Sequence, residues 1–357
     1  MIHLSPAAAS RGGARRQDGF VLVAVIWFVA LLALVAAITS AWMSGALGRT
    51  AALQDRLSVR AATISAVDLI GYQMSSNYFS SRGLENMGGK ELEQLRSPQS
   101  IVSRPSTSGD FIALDGRPYR LGAGVVRLQD DMGLLNLNGG DRTRLARLLG
   151  QHGLDPHAAA ALADSLARYV EGAKSAQFGA RIVAPPAADE PSVGSRYLLR
   201  TPWEAARIES WDAYPALWGG PDALPNFTTV ANSQGLNVNT APIPVLRSLV
   251  GVDADAAARI ADYRAKRPIL SPDELQLAAG TGISTDPLTT TFFPARSLRL
   301  QLLYPNDPLM HIVAVRVTGA GTAPFRIEYA VDLPFDAAAR AVLAQQALPA
   351  FPVALEK

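Results

Sequence analysis

An uncharged apolar run near the start of the chain limits its possible folds more than any other feature. No charged residue occurs from Gly19 to Gly48, and the 19 residues from Phe20 to Ile38 are all apolar. As a helix at ~1.5 Å per residue they reach about 28 Å, the thickness of a bilayer's hydrocarbon core. The apolar part of a secretory signal is shorter, about 7–15 residues. The run therefore predicts a transmembrane helix over residues 20–41.

The residues on either side of the run predict its orientation and its continuation. Arg11, Arg15 and Arg16 precede it, so the positive-inside rule places the N-terminus in the cytoplasm and the rest of the chain in the periplasm, with one pass through the inner membrane. No proline occurs between Phe20 and Ser97. Apolar residues recur at helical spacing after the run, at Leu53, Leu57, Ala61, Ile64, Val67 and Met74. One long helix over residues 20–95, amphipathic in its second half, is predicted.

Composition and motif content argue against most chemistry. The chain has no cysteine, so disulfides, thiolate metal sites and cysteine nucleophiles are excluded. The net charge of +2, from 33 basic and 31 acidic residues, shows no bias toward nucleic acid. The sequence contains no G-x-S-x-G, H-E-x-x-H, P-loop or dinucleotide-binding fingerprint. A protein that is not an enzyme is expected.

Two groups of strands are predicted on either side of a helical region. The first, over residues 96–135, includes a hairpin that turns at Asp115-Gly116 and a strand ending at the acid pair Asp130-Asp131. The second, over residues 291–335, ends in a half-buried strand whose apolar face carries Phe325, Ile327, Tyr329 and Val331. The sequence thus predicts an α+β fold, with the long helix on an antiparallel sheet and residues 336–357 as a tail.

The region between the strand groups, residues 136–290, contains an internal repeat. Its units, about 136–170 and 237–280, each read as a short strand, a helix, a glycine turn and a second helix. Asn136, Asn138, Leu145, Gly153, Asp155 and Asp164 align with Asn237, Asn239, Leu246, Gly251, Asp253 and Asp262. Asp155 and Asp253 suit helix caps, and Thr201 and Ser271 begin capping boxes. An all-helical domain of helix-hairpin-helix or SAM-like type, inserted in the sheet, is predicted.

Two alternative interpretations of this domain remain open. Helix-hairpin-helix units can bind DNA phosphates through a glycine-rich hairpin, but Asp155, Asp253 and Asp255 would repel phosphate here, so a protein-contact role is favoured. A cluster of aromatic residues is either a binding surface or, as we favour, core. Its members are Trp203, Trp211, Tyr214 and Trp218.

The basic leader, the Gly19-Phe20 pair and the long helix resemble type IV pilins and type II secretion pseudopilins. The phrases LQDDMGLLNLN and LNVNTAPIPVLRSLVGVDADAAARIADYRAKRPILSPDEL resemble the K-type minor pseudopilins, in which a helical domain interrupts the pilin-like sheet. The resemblance implies that prepilin peptidase cuts between Gly19 and Phe20, releasing residues 1–19 as a leader, and methylates the Phe20 amine.

The resemblance also implies a position in a filament. Most family members carry glutamate five residues into the mature chain, where it neutralises the N-terminal amine of a neighbouring subunit, whereas this chain has Ala24. A subunit at the tip has no use for that acid. The expected function is a tip subunit of the periplasmic pseudopilus, with other minor pseudopilins and the major pseudopilin as partners. A minor pilin of a type IV pilus and a membrane-anchored DNA-binding module are the alternatives.

Calcium is kept as a candidate ligand, because members of the family can bind it in or near the helical domain. The available carboxylates are Asp189, Glu190, Glu204 and Glu209. Calcium takes six to eight oxygen ligands, and no spacing among these four acids is diagnostic. Surface acids or helix caps are the favoured reading, and no other cofactor is expected.

Overall fold

The computed structural model describes residues 18–85, 111–139, 141–179, 197–220, 222–231, 235–280, 282–283, 290–319 and 323–352, with side chains omitted at 18–20 and 176–179. The chain divides into two compact parts, Met1–Ser58 and Val59–Lys357. Helix α1, Asp18–Ser76, is unbroken and contributes to both.

The second half of α1 belongs to the part Val59–Lys357, and the helix ends earlier than predicted. Ala66, Val67, Ile70 and Met74 are buried in the largest core. The helix ends at Ser76, so the prediction of a helix to residue 95 is wrong for residues 77–85. No proline stops it. The Asn77 N–H makes the last helical hydrogen bond, to the Gln73 carbonyl, and Tyr78–Phe79 then pair as a strand with Leu84–Glu85.

An antiparallel sheet of five strands forms the other side of this core. Its order is β12-β11-β10-β5-β4. The strands are β4 Asp115–Leu121, β5 Gly124–Asp130, β10 Ser297–Leu303, β11 Leu309–Val317 and β12 Phe325–Pro334. A smaller sheet, β1-β2-β3, comprises Tyr78–Phe79, Leu84–Glu85 and Phe111–Ile112. The predicted α+β class, a long helix with antiparallel sheet, is confirmed.

The first hairpin turns at a different place from the one predicted. Leu121 pairs with Gly124, so the turn is Gly122-Ala123, not Asp115-Gly116. Both Gly116 and Gly122 have positive φ, at 79° and 56°. The left-handed conformation of Gly116 is used in an irregularity between Asp115 and Pro118 within β4. Phe111–Ile112 pairs with β2 instead.

The last strand, β12, also departs from its predicted alternation. The register shifts between Ala314, which pairs with Tyr329, and Val315, which pairs with Ile327. Glu328 is the extra residue of this bulge, so Ile327 shares the face of Phe325, whereas Tyr329 and Val331 lie on the opposite face. The side chain of Ile327 is nevertheless 54% exposed. Phe325 stays half-buried against the core, with its ring directly over Gly71 of α1, where a Cβ would collide with it.

The inserted domain consists of two units with separate cores, and it is not purely helical. The helices are α2 Arg142–Gln151, α3 Pro156–Gly179, α4 Ile243–Leu246, α5 Ala254–Lys266 and α6 Pro272–Ala279. Short 3₁₀ turns cover Asp131–Gly133, Leu137–Gly139, Pro202–Arg207, Pro215–Leu217 and Leu224–Asn226. Each unit also contains a two-residue parallel ladder: β6 Leu135–Asn136 with β7 Thr228–Thr229, and β8 Leu236–Asn237 with β9 Thr290–Thr291. Each ladder joins two segments of its unit that are distant in sequence. The prediction of an all-helical domain is therefore corrected.

The predicted tail folds back on the sheet. Helix α7, Ala337–Gln345, buries Leu343 with Val125 and Leu303 in a small core of their own. Phe351 packs edge-on against Tyr119 at 5.9 Å between ring centroids. Residues 337–352 are therefore part of the folded unit.

Candidate functional site

The apolar half of α1 is the first candidate site. Every side chain from Val21 to Thr50 is exposed except that of Ala46, which is partly buried. In the described part of the chain, α1 is the one helix long and apolar enough to cross a membrane, and none of its most apolar 18-residue window is buried. An apolar surface of this size is unstable in water and is satisfied in lipid, which is consistent with a membrane anchor.

The predicted processing positions lie at the start of this helix. Gly19 and Phe20 belong to α1, but their side chains lie outside the described set. Ala24 is exposed on the helix surface. Cleavage between Gly19 and Phe20, and the meaning of Ala24, stay predictions.

The second candidate is the junction where the inserted domain leaves and rejoins the sheet. It is formed by Asp130, Asp131, Asn237, Thr240 and Ala295. The Asp130 carboxylate is fully buried and accepts four hydrogen bonds: from Met132 N at 3.0 Å, Ala295 N at 2.9 Å, Asn237 Nδ2 at 2.8 Å and Thr240 Oγ1 at 2.7 Å. One carboxylate thus ties the outgoing chain, the returning chain and the second unit.

Two opposing effects act on the charge of Asp130. Burial raises the pKa of the Asp130 carboxyl to about 7, against the four hydrogen bonds, which favour the ionised form and lower it. The donors are amides and a hydroxyl, and no ion pair with Asp130 is found among the described residues. The group is therefore poised to titrate near neutral pH.

The neighbouring Asp131 joins the first unit to the sheet. Thr229 Oγ1 donates to Asp131 at 2.9 Å. Burial raises the pKa of Asp131, and the charge of Arg299 opposes that rise. Arg299, only 1% exposed, donates to the carbonyl of Pro225 at 2.5 Å and to that of Thr228. The pair Asp130-Asp131 is therefore structural, at a strand end beside the insert, as favoured from the sequence.

Close packing at the junction explains why residue 133 is a glycine. A Cβ on Gly133 would lie 2.7 Å from both Gln129 Nε2 and Thr240 Oγ1 and 2.8 Å from the Thr240 carbonyl carbon. Gln129 in turn donates to the Thr240 carbonyl at 3.1 Å. Any larger residue at position 133 would push the second unit away from the end of β5.

The repeated asparagines have equivalent roles in the two units. Asn138 donates to the carbonyls of Leu199 and Val230 and accepts from Leu199 N. Asn239 donates to the carbonyls of Ile269 and Phe292 and accepts from Ile269 N. Each side chain bridges two segments far apart in sequence. The structural repeat therefore extends to Val230 and Phe292, well beyond the helices that revealed it.

Two sequence matches show what the chain is similar to. Residues 236–292 match the model of the family described as type II secretion system (T2SS), protein K. Over 300 residues the chain is 26% identical to the type II secretion system protein K of Pseudomonas aeruginosa, covering 78% of this chain and 83% of that protein. The chain is similar to type II secretion system protein K. The resemblance predicted from the sequence is thereby confirmed.

The protein K match coincides with one structural unit. Residues 236–292 run from the first residue of β8 to the residue after β9, so they contain the whole second unit with Asn237 and Asn239. A solved structure, the crystal structure of the GspK-GspI-GspJ complex from the enterotoxigenic Escherichia coli type 2 secretion system, aligns at a TM-score of 0.43. The aligned residues are 14% identical and cover 79% of this chain and 99% of that chain. The relationship to protein K rests on the sequence matches, not on this alignment.

The helix caps formed by Asp155 and Asp253 argue against DNA binding. Asp155 accepts from His157 N and Ala158 N, and Asp253 accepts from Ala256 N at 2.7 Å. Both aspartates are therefore caps, as predicted. The amide groups that would hold a phosphate in a DNA-binding hairpin are already bonded to these carboxylates.

The two predicted capping boxes differ in detail. Ser271 Oγ accepts from Glu274 N at 3.2 Å, as predicted, and the Glu274 carboxylate accepts from Leu270 N. The Thr201 side chain makes no cap hydrogen bond, and a 3₁₀ turn rather than an α-helix follows it. Glu204 nevertheless accepts from Arg200 N at 2.9 Å.

Three of the four clustered aromatic residues belong to the core, as favoured from the sequence. Trp211 is completely buried and donates from its indole N–H to Ser165 Oγ at 2.9 Å. Trp218 and Tyr214 pack against the same core, with the two tryptophan rings 5.9 Å apart. Trp203 is partly buried and lies outside that core.

The calcium candidates are not brought together by the described residues. Glu204 caps a turn and Glu209 is exposed, while Asp189 and Glu190 lie outside the described part of the chain. Within that part, no group of three or more histidine or acidic side chains is placed to hold a metal ion. Calcium binding stays a prediction.

Sequence reasoning missed two arginines that bind backbone carbonyls, Arg299 of β10 and Arg264 of α5. Arg264 donates from Nη1 to the carbonyls of Val238 and Ala241, at 2.7 and 2.6 Å. A single sequence does not distinguish a buried arginine on a strand or helix from an arginine on a solvent-exposed face, because the neighbouring residues have the same spacing in both cases. The available signal for Arg264 was its position in the last turn of α5, where cations favour the helix C-terminus.

Proposed function

We propose that the chain is a structural minor pseudopilin at the tip of the periplasmic pseudopilus of a type II secretion system. It would initiate or cap assembly, so that the filament drives folded proteins across the outer membrane. One combination of observations carries the proposal. Residues 236–292 match protein K, and the same chain has a sheet that packs against the second half of α1. The first half of α1 exposes an apolar segment long enough to cross a membrane.

The membrane arrangement supports this role. The proposed anchor is a single pass through the inner membrane, with the N-terminus in the cytoplasm because Arg11, Arg15 and Arg16 precede the apolar run. The folded unit then lies in the periplasm. Prepilin peptidase would cut between Gly19 and Phe20 and methylate Phe20, leaving the apolar helix free to leave the bilayer sideways into a helical assembly.

The tip position is supported by Ala24 and by the inserted domain. A carboxylate in a bilayer is costly unless it is paired. Ala24 makes no such demand, so the chain needs no neighbouring amine at that depth. The proposed partners are other minor pseudopilins, with the major pseudopilin below. Their helices would cover the side chains that α1 exposes from Val21 onward.

A secretion assay in the source bacterium tests the proposal. Deleting the gene should retain a type II-dependent enzyme in the periplasm, as measured by immunoblots of periplasm and medium. The full chain should restore export, whereas a chain beginning at Arg49, which lacks the apolar segment, should not. Surface pili and DNA uptake should be unchanged. Normal export in the deletion strain, or loss of pili or DNA uptake instead, would contradict the proposal.

A further inference from the structure

A pocket of about 170 Å³ lies between the end of α5 and the segment that joins β3 to β4. Its lining is strongly basic. Five cationic side chains and one carboxylate contribute: Arg82, Arg117, Arg264, Lys266, Arg267 and Asp115. Clefts lined by one sign of charge concentrate the electric field and attract ligands of the opposite sign.

The one carboxylate does not neutralise this pocket. Asp115 is bound by Arg117, whose Nη2 lies 2.6 Å from the carboxylate and whose Nε donates to it at 2.9 Å. Lys266 is exposed at the rim, and no ion pair of Lys266 occurs within the described residues. The Arg267 guanidinium is already paired with the Glu274 carboxylate at 3.9 Å, so the charges open to a ligand are those of Lys266 and Arg264.

Arg264 is held in place by the protein and still presents donors. Its Nη1 is fixed by the carbonyls of Val238 and Ala241. Among the described residues, its Nε and Nη2 have no acceptor. Burial lowers the pKa of Arg264, while the charge of Asp115 raises it. A guanidinium anchored at one nitrogen and open at the others is suited to bind a carboxylate with little loss of conformational freedom.

We propose that this pocket binds a glutamate or aspartate side chain from an acidic segment of a partner protein. Its volume is below the ~300–1,000 Å³ of typical small-molecule sites and suits a side chain. The C-terminal end of α5 carries the negative end of the helix dipole. That end penalises a doubly charged phosphate more than a singly charged carboxylate.

Only the identity of the partner, another subunit of the pseudopilus, rests on the proposed function. Binding of an acidic segment does not. If acidic peptide fails to bind while the chain still supports export, the pocket proposal alone fails. If the peptide binds while export is independent of the chain, the proposed function alone fails.

The test uses the full chain in a neutral detergent and a fluorescent hexaglutamate peptide, measured by anisotropy. Lys266→Glu should weaken binding about tenfold, because it replaces an attraction with a repulsion at the rim. Arg168→Glu is the matched control, since Arg168 is an exposed helical cation outside the pocket with the same change of charge. It should change the affinity by less than about twofold. Both side chains are exposed, so neither variant threatens the fold.

Four results would overturn the proposal. These are no binding by the wild-type chain, an equal loss in both variants, and displacement of the peptide by inorganic phosphate at equal concentration. The fourth is Lys266-dependent binding to phosphatidylglycerol vesicles without binding to the peptide, which would assign the pocket to a membrane surface.

Discussion

At the scale of single residues, the junction depends on two positions, Asp130 and Gly133, whose neighbours do not accommodate another side chain. Asp130 has four donors around a carboxylate that is out of contact with water, and Gly133 has no room for a methyl group. Buried polar groups of this kind are costly when one partner is lost. Small changes here should therefore have large effects on stability.

The titration of Asp130 should be visible as a pH dependence of stability. Its pKa is raised from 3.8 to about 7 by burial, so between pH 4 and 7 the folded state holds a proton that the unfolded state has lost. Stability from this group then falls as pH rises, by at most about 1.4 kcal/mol per pH unit, and levels off above pH 7. Relative to Asp130→Asn, which does not titrate, the wild-type advantage should shrink across that window in urea unfolding of the full chain. An advantage that grows with pH would mean that the four hydrogen bonds outweigh burial.

Gly133→Ala should destabilise the chain by about 1–3 kcal/mol, because the new Cβ would overlap both the Gln129 side chain and the Thr240 backbone. The same urea titration measures it. Gly172→Ala in α3 is the matched control: it has open space around the added methyl and should be neutral or stabilising by up to about 1 kcal/mol. Equal behaviour of the two variants would refute the packing argument.

At the scale of elements, the two units of the insert are built on one plan. In each, an asparagine bridges a segment in the middle of the unit, at Leu199 or Ile269, to the residue that follows the closing strand, Val230 or Phe292. The bridged carbonyls lie 61 and 92 residues from Asn138 and 30 and 53 residues from Asn239. The first unit is longer, yet the asparagine makes the same three hydrogen bonds.

Asn138→Ala and Asn239→Ala should therefore each lower stability, by about 2–4 kcal/mol, because each leaves two carbonyls and one N–H without a partner. Asn239→Ala should have the larger effect, since Asn239 is 9% exposed whereas Asn138 lies partly in water. Thermal unfolding followed by circular dichroism would measure both. Gln276→Ala, an exposed position in α6, serves as control and should change stability by less than about 0.5 kcal/mol. An effect of Asn239→Ala as small as the control's would reject the shared plan.

The elements also show what a single sequence can and cannot predict. The apolar run and the repeat were readable because their signals lie in the spacing of residues along the chain. The predicted apolar face of α1 was right only at Val67 and Met74, since Leu53, Leu57, Ala61 and Ile64 are exposed. The end of α1, the turn at Gly122 and the bulge at Glu328 were not readable, because each depends on pairing with a distant strand. The burial of Arg299 likewise depends on carbonyls 74 and 71 residues away.

At the scale of the whole molecule, one chain contains an exposed apolar helix and a folded part in which residues 236–292 match the protein K family model. The junction residues hold the inserted domain to the sheet through hydrogen bonds between segments over 90 residues apart in sequence.

The mature N-terminus of the protein tests this account most directly. Membranes from cells with and without prepilin peptidase would be compared by mass spectrometry of the first peptide. The account predicts N-methylated Phe20 when the peptidase is present and an uncut leader when it is absent. An intact Met1 in both strains, or a cut far downstream of Gly19, would contradict the pseudopilin assignment.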